Sequence, residues 1–382
     1  MDFSLTEEQQ TLRNGIIQFA KKELNGNVIE RDRSQEFSRD LWNKCGAMGL
    51  QGLPVDEKYG GLGLSALSTA IALEALGYGC EDGGLVFSLC AHLLACIIPV
   101  WKYGTEEQKG KYLTRLVSGE LIAVNGMTEP SSGSDAFNMS ARAVPDGNGF
   151  RINGTKTFSS NASVADIALL YAVTDPGKQY YGGISAFLVE TSTTGFKSGQ
   201  KYEKMGLRTS PIGELVLEDV FVPESSVIGG LGAGPTVFGY SMDWERICIG
   251  ATHLGTMQRL LEKAVKHSCT RKSSGKKIAS YQAISHKIAD MKIRLEASKL
   301  LVYRAAWLLD QGKKVTMDAS ITKVFVSEAL IKCASDTLQI FGGYGFMTEY
   351  EVERIVRDSF GGTIYSGTNE VQRNIIARWL GL

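Results

Sequence analysis

Three observations predict an α+β fold for this 382-residue chain. Apolar residues recur at helical spacing from the N-terminus to about residue 118. From Ala123 to Pro223 the pattern changes to short alternating runs separated by Asp146-Gly147, Asn148-Gly149 and Asn153-Gly154, as in a small β-barrel or sandwich. From Ser241 the helical period returns and persists to the end. The expected division is an all-α domain over 1–118, a β domain over 119–232 and a helical bundle over 233–382.

The elements follow in order. Thr6-Glu-Glu-Gln9 has the form of a capping box and predicts a helix through Leu12, Ile16, Ile17 and Phe19. Ser38 to Met48 is a second helix, with Leu41, Trp42 and Cys45 on one face. Pro54 to Gly63 is a turn-rich break. Apolar helices are expected from Ser65 to Leu76 and from Leu85 to Tyr103, the first with small residues (Ala66, Ala70, Ala72, Ala75) for close packing. Glu106 to Leu116 completes the block. Ile167 to Val173 and Ile184 to Val189 read as strands. Gly230-Leu-Gly232-Ala-Gly234 lacks the strand-then-helix frame and Lys-Ser/Thr of a phosphate loop, so it reads as a linker. Beyond it, Ile247, Ala251, Leu254, Met257, Leu261 and Ala264 share one helix face. Further helices are expected over Tyr281 to Gln311, Thr316 to Tyr344 and Asn369 to Trp379.

Composition narrows the function. The chain is 43% hydrophobic and 21% charged with zero formal net charge. No global basic field exists for nucleic acid or an anionic membrane. The N-terminus has neither the basic nor the apolar region of a signal peptide. The most apolar run, Leu89 to Ile98, reads as too short to cross a bilayer. Seven cysteines without paired spacing suggest reduced thiols and a cytoplasmic protein. Four scattered histidines give no metal site, and Cys90-x-His92 reads as helix packing.

Five motifs offer chemistry. Ser241-Met-Asp-Trp-Glu-Arg246 places Glu245 between a tryptophan and an arginine. Taken alone it reads rather as the acidic first turn of a helix, where carboxylates meet the positive dipole end. Thr128-Glu-Pro-Ser-Ser-Gly-Ser-Asp135 offers hydroxyls and backbone N–H groups that suit a flavin's carbonyl edge or phosphates, or is a surface turn. Arg271-Lys-Ser-Ser-Gly-Lys-Lys277 can bind a pyrophosphate or is a solvated basic loop. Gln339-Ile-Phe-Gly-Gly-Tyr-Gly345 lets backbone approach a ligand or another subunit, or simply stops a helix. In Ile364-Tyr-Ser-Gly-Thr-Asn-Glu370, Thr368 can cap the last helix and leave N–H groups for an anion.

Taken together, in this order, these motifs resemble the acyl-CoA dehydrogenase family. The likeness runs from Leu5-Thr-Glu-Glu-Gln9 through Tyr59-Gly-Gly-Leu-Gly63 and the Thr-Glu-Pro loop to Gln339–Gly345 and the Tyr365–Arg373 tail, nearly the whole chain. The resemblance implies an N-terminal helical domain, a middle β domain, a C-terminal four-helix bundle, a homotetramer built as a dimer of dimers, and bound FAD. It implies that Met127, Thr128, Gly133 and Ser134 line the flavin, with Phe158 and Ser160 on the next strand. Arg271, Gln282, Gln339, Ile340, Phe341, Gly342 and Gly343 would reach FAD from a neighbouring subunit, and Thr368 and Glu370 from the tail. Phe158 stands where many members have tryptophan, and Ser274 where most have phenylalanine.

Family members carry the catalytic glutamate either in a Tyr-Glu-Gly-Thr tail or in an Asp-x-Glu-Arg helix. Here the tail reads Tyr365-Ser-Gly-Thr368 and the helix Asp243-Trp-Glu-Arg246, so Glu245 is the expected base. Ser134, Asp243, Arg246, Ser366 and Gly367 are expected to meet the substrate. Leu89-Cys-Ala-His-Leu-Leu-Ala-Cys96, Ser241-Met-Asp-Trp-Glu-Arg246, Lys156-Thr-Phe-Ser-Ser-Asn161 and the Tyr365-Ser-Gly-Thr368 tail look like the prolyl-carrier-protein dehydrogenases and oxidases of natural-product pathways. That likeness implies desaturation of an L-prolyl thioester borne on the phosphopantetheine of an acyl or peptidyl carrier protein. The α-proton would leave to Glu245 and a β-hydride to flavin N5, with oxygen or an electron-transfer flavoprotein as acceptor. The alternative substrate is a short or branched acyl-CoA.

Overall fold

The computed structural model describes residues 4–178 and 180–382. Helices cover the chain to Val117, strands run from Ala123 to Ile228, and helices resume at Gly234. The Thr6 capping box forms as expected: Gln9 N donates to Thr6 Oγ1 at 3.2 Å and Thr6 N to Gln9 Oε1 at 3.1 Å. Ser38 caps Arg39–Ala47 by accepting from Leu41 N.

The apolar helix departs from its expected length. It runs over Gly83–Tyr103, 21 residues, contains an 18-residue stretch with mean hydropathy 2.1, and is long and apolar enough to cross a membrane. Its surface is nevertheless covered by protein, 83% of the apolar window being buried. A π turn at Leu93–Ile97 lies at its middle, and a second at Lys109–Leu113 interrupts the helical stretch expected from Glu106. His92 lies in this core. Its Nε2 meets the Leu116 carbonyl and its Nδ1 accepts from Ala123 N, both at 2.9 Å, so burial holds the ring neutral, its pKa pushed down to about 4.

The sheet comprises β1 (Ala123–Gly126), β2 (Arg142–Asp146), β3 (Gly149–Ser160), β4 (Ile167–Val173), β5 (Ile184–Glu190), β6 (Phe196–Lys201), β7 (Ile212–Pro223) and β8 (Val227–Ile228). The order is β6-β7-β3-β2-β4-β5-β8, with β1 parallel to β4. Among the described residues a single pair, Arg142↔Val173, joins β2 to β4, and Val124, Ile152, Leu170, Phe187 and Leu215 belong to one buried core of the sheet. Two expected turns move. Asp146 pairs with Gly149, which makes Gly147-Asn148 the hairpin turn. Asn153-Gly154 lies inside β3 at a register shift between Ile152 and Gly154, a bulge rather than a turn.

The central element of the bundle is the helix Gly234–Thr270, hereafter the long helix. It begins earlier than the expected Ser241, because Pro235 tolerates the first helical turn. Glycine brings it close to Ala66–Gly79: a Cβ at Gly77 would lie 2.1 Å from the Thr252 carbonyl, and one at Gly255 2.1 Å from the Glu74 carbonyl. Gln282–Asp310 and Thr316–Phe341 pack beside it, and Asn369–Trp379 closes the tail.

Candidate active site

Glu245 is not on a first turn. Residues Gly234–Trp244 are already helical before it, so the helix-dipole explanation for an acidic residue does not apply. The side chain is buried, with 8% exposure. Ser366 Oγ donates to its Oε1 at 2.5 Å, whereas Oε2 is buried and has no hydrogen-bond partner among the described residues. Burial raises the carboxyl pKa; the Ser366 hydrogen bond and the Arg246 and Lys323 cations oppose that only in part. A carboxylate with one oxygen fixed and one free inside an apolar wall is suited to take a proton from carbon. Trp244, next to it in sequence, is buried and packs edge-on against Trp101 with centroids 6.4 Å apart. The Cys90 and Cys96 thiols are also pushed up by burial, with Glu245 adding to both effects.

Of the other expected substrate residues, Arg246, Ser366 and Gly367 meet at the turn beside this carboxylate, whereas Ser134 stands exposed on the Thr128–Asp135 loop. Arg246 Nε donates to the Ser366 carbonyl at 3.2 Å. Asp243 accepts from Thr316 Oγ1 at 3.1 Å, its Oδ1 is buried without a hydrogen-bond partner among the described residues, and burial raises its pKa. The Gly367 carbonyl accepts from Lys323 Nζ at 2.8 Å. Thr368 caps the last helix by accepting from Val371 N at 3.3 Å, and Glu370 stands exposed beside it.

The Thr128–Asp135 loop is fixed from beneath. Its Glu129 is buried and ion-paired at 2.9 Å with Lys156 of β3, which is fully buried. Glu129 also accepts from Ser140 N and Oγ, both at 2.6 Å, and Lys156 Nζ reaches the Met127 carbonyl at 3.3 Å. The Thr128 carbonyl accepts from Thr157 N at 2.9 Å. Both charged residues lie within motifs singled out by sequence, but their pairing is visible only in the fold. The available signal was parity: Lys156 continues the inward-facing positions of β3. Above this base, a Cβ at Gly133 would meet nothing within 4 Å. Phe158 has φ 51° and 63% exposure, at a bulge between Lys156 and Ser159 that turns its ring outward beside Tyr202, ahead of Ser160. A left-handed phenylalanine with an open ring face above a glycine-bearing loop fits a planar ligand such as an isoalloxazine.

A second site lies at the far end of the long helix. A cleft of about 790 Å³ is lined by His267, Arg271, Ser274, Tyr281, Ile340, Phe341, Gly342, Gly343 and Tyr344, among others. His267 stacks on Phe341 with centroids 4.1 Å apart at 15°, and the Arg271 guanidinium lies 5.5 Å from the Tyr344 ring centre. Among the described residues Arg271 has no carboxylate ion-pair partner. Gln282 and Gln339 are exposed and lie outside the lining residues. An uncompensated guanidinium among aromatic faces and bare glycines fits the pyrophosphate and adenine of a dinucleotide. From Glu245 to Arg271 the chain advances 26 residues, roughly 39 Å along a helix rising ~1.5 Å per residue.

Three consecutive domain profiles match the sequence: the acyl-CoA dehydrogenase N-terminal domain over residues 6–120, the middle domain over 125–220 and the C-terminal domain over 232–381. The chain belongs to the acyl-CoA dehydrogenase family. Within that family it is 42% identical to an L-prolyl-[peptidyl-carrier protein] dehydrogenase of Serratia sp., the match covering 100% of this chain and 99% of the relative. The solved structure of PigA with FAD and proline superposes with a TM-score of 0.98 at 42% identity over 100% of both chains. The prolyl acyl carrier protein oxidase AnaB superposes equally well, TM-score 0.98 at 38% identity, over 99% of this chain and 100% of that one.

Proposed function

We propose that this acyl-CoA dehydrogenase family member desaturates an L-prolyl thioester borne on the phosphopantetheine of a carrier protein, using FAD. The observation that carries the reading is the Glu245 carboxylate, with Oε1 held by Ser366 and Oε2 buried and free. The full-length likeness to a prolyl-carrier-protein dehydrogenase and oxidase supports the substrate class.

Glu245 Oε2 takes the α-proton, which the thioester carbonyl acidifies. Burial has raised the carboxyl pKa, so the proton transfers to a better-matched base. Arg246 and Ser366 hold the carboxylate's surroundings in place during the transfer. The buried Cys90 and Cys96 near it help to exclude water that would otherwise solvate the carboxylate. Met127, Thr128, Gly133, Ser134, Phe158 and Ser160 would hold the flavin ring, and Thr368 and Glu370 would approach it from the tail. When bound, the flavin supplies the acceptor for the β-hydride. Arg271, Gln282 and residues 339–343 would bind the dinucleotide's other end from a second copy of the chain. The roughly 39 Å of helix between Glu245 and Arg271 supports that division, because one extended dinucleotide does not span it. A homotetramer is supported by Ile293, Leu300 and Trp307 on Gln282–Asp310, exposed at 64%, 56% and 51% and spaced seven residues apart on one helix face.

The test is to incubate purified protein aerobically with prolyl-loaded carrier protein and read its mass. Loss of two or four hydrogens is expected. An unchanged prolyl carrier together with flavin bleaching by isovaleryl-CoA or butyryl-CoA overturns the substrate and selects an acyl-CoA.

A further inference from the structure

The turn that brings Ser366 to Glu245 is conformationally costly. Ser366 and Gly367 are consecutive left-handed residues, with φ 57° and 84°. Glycine adopts that region freely, whereas serine does not. Such a turn persists only where its surroundings fix it. Its two carbonyls are the points of attachment. The Ser366 carbonyl accepts from Arg246 Nε at 3.2 Å and Gln372 Nε2 at 3.1 Å. The Gly367 carbonyl accepts from Gln372 Nε2 at 3.0 Å and Lys323 Nζ at 2.8 Å.

Lys323 is the unexpected member of this set. It sits at 5% exposure on Thr316–Phe341 and has no carboxylate ion-pair partner among the described residues. Burying an ammonium without such a partner is unfavourable. Its donors are directed at the Gly367 carbonyl and at Asn369 Oδ1, each 2.8 Å away. Asn369 is itself held by Ser327 and Glu328, both at 3.1 Å. The structural value of that buried cation lies in the turn it holds.

We propose that Lys323 is a positioning residue for the base: it fixes the left-handed Ser366–Gly367 turn, so that Ser366 Oγ occupies one oxygen of Glu245 and leaves the other for the substrate. This rests on Glu245 being the base. Without Lys323, the Gly367 carbonyl keeps only Gln372 of its two buried donors, Ser366 withdraws, and Glu245 is free to rotate. The carboxylate also loses a hydrogen bond and a nearby cation, both of which favour its charged form. Burial and the Arg246 guanidinium push the Lys323 ammonium down to about 7. Other groups facing Glu245 are Arg246 on its own helix, Cys90 and Cys96 on the apolar helix, Tyr171 on β4 and Tyr365 on the tail.

The experiment compares Lys323→Met, Ser366→Ala, the double variant and Glu245→Gln as FAD-loaded holoenzymes on prolyl-loaded carrier protein. Each of the first two should lower kcat by about tenfold, the value of one hydrogen bond to a charged group, with KM nearly unchanged. In each, the acid limb of the kcat/KM profile should move to higher pH. If Lys323 acts through Ser366, the double variant is no slower than the slower single one. Multiplying losses overturn the proposal, as does an unshifted acid limb in Ser366→Ala, which decides the matter even if Lys323→Met fails to load flavin. Full turnover in Glu245→Gln removes the base assignment itself. A dead Glu245→Gln beside a fully active Lys323→Met and Ser366→Ala removes only the role of Lys323.

Discussion

The two ends of the long helix solve opposite problems with the same backbone. Around Glu245 the helix is enclosed, and burial raises a carboxylate's basicity. Around Arg271 it opens into a cleft where a cation stands between aromatic rings. In the proposed reading one end performs chemistry by excluding water, and the other binds by charge and stacking. The helix keeps the two apart, and in the proposed assembly the binding end would serve a neighbour's chemical end. This makes activity and assembly inseparable in the proposed enzyme.

The sharpest way to break that contrast is Glu245→Gln. Turnover should fall by about 10²–10⁴-fold, the range for loss of a general base, while flavin absorbance and content stay normal. Loss of flavin in that variant would mean the two ends are not separable.

Leu300→Asp tests the same division from outside either site. Placing a charge on the exposed apolar stripe should shift the assembly to smaller species in sedimentation and lower flavin content with it. Unchanged assembly, or a dissociated enzyme that keeps its flavin, contradicts the shared site. Arg271→Ala should weaken flavin affinity by about tenfold, in the range of one charge-assisted contact. Once saturated with FAD it should turn over at the normal rate, as titration followed by steady-state assay would reveal.

The smallest expected effect is on stability. Because burial raises the Glu245 pKa, the folded protein favours the neutral carboxyl. Its contribution is complete below the unfolded glutamate pKa and is lost as pH rises through the raised folded value. Wild type should therefore lose melting temperature relative to Glu245→Gln as pH rises across that window. Activity has the opposite sense, because only the ionised carboxylate accepts a proton, so kcat/KM rises through the same pKa.

Much of this molecule is legible locally. The change from helical to alternating period marks the strands, and the Thr6 box, the Ser38 cap and the Thr368 cap depend on residues three positions apart. The Asn153-Gly154 turn failed because a dipeptide cannot report whether β7 continues to pair across it. Ser366 in the tail and Glu245 in the helix could also be read in sequence as an exchange of the base's position.

What the sequence by itself determined was the order of elements, the caps and the identity of the expected base. The tertiary structure alone decided that Ser366 meets Glu245 across 121 positions, that Lys323 holds the turn between them, and that Glu129 and Lys156 pair beneath the loop. The reason is physical. Periodicity and capping are set by neighbours along the chain, whereas a buried polar atom's partner is chosen by whichever elements pack around it.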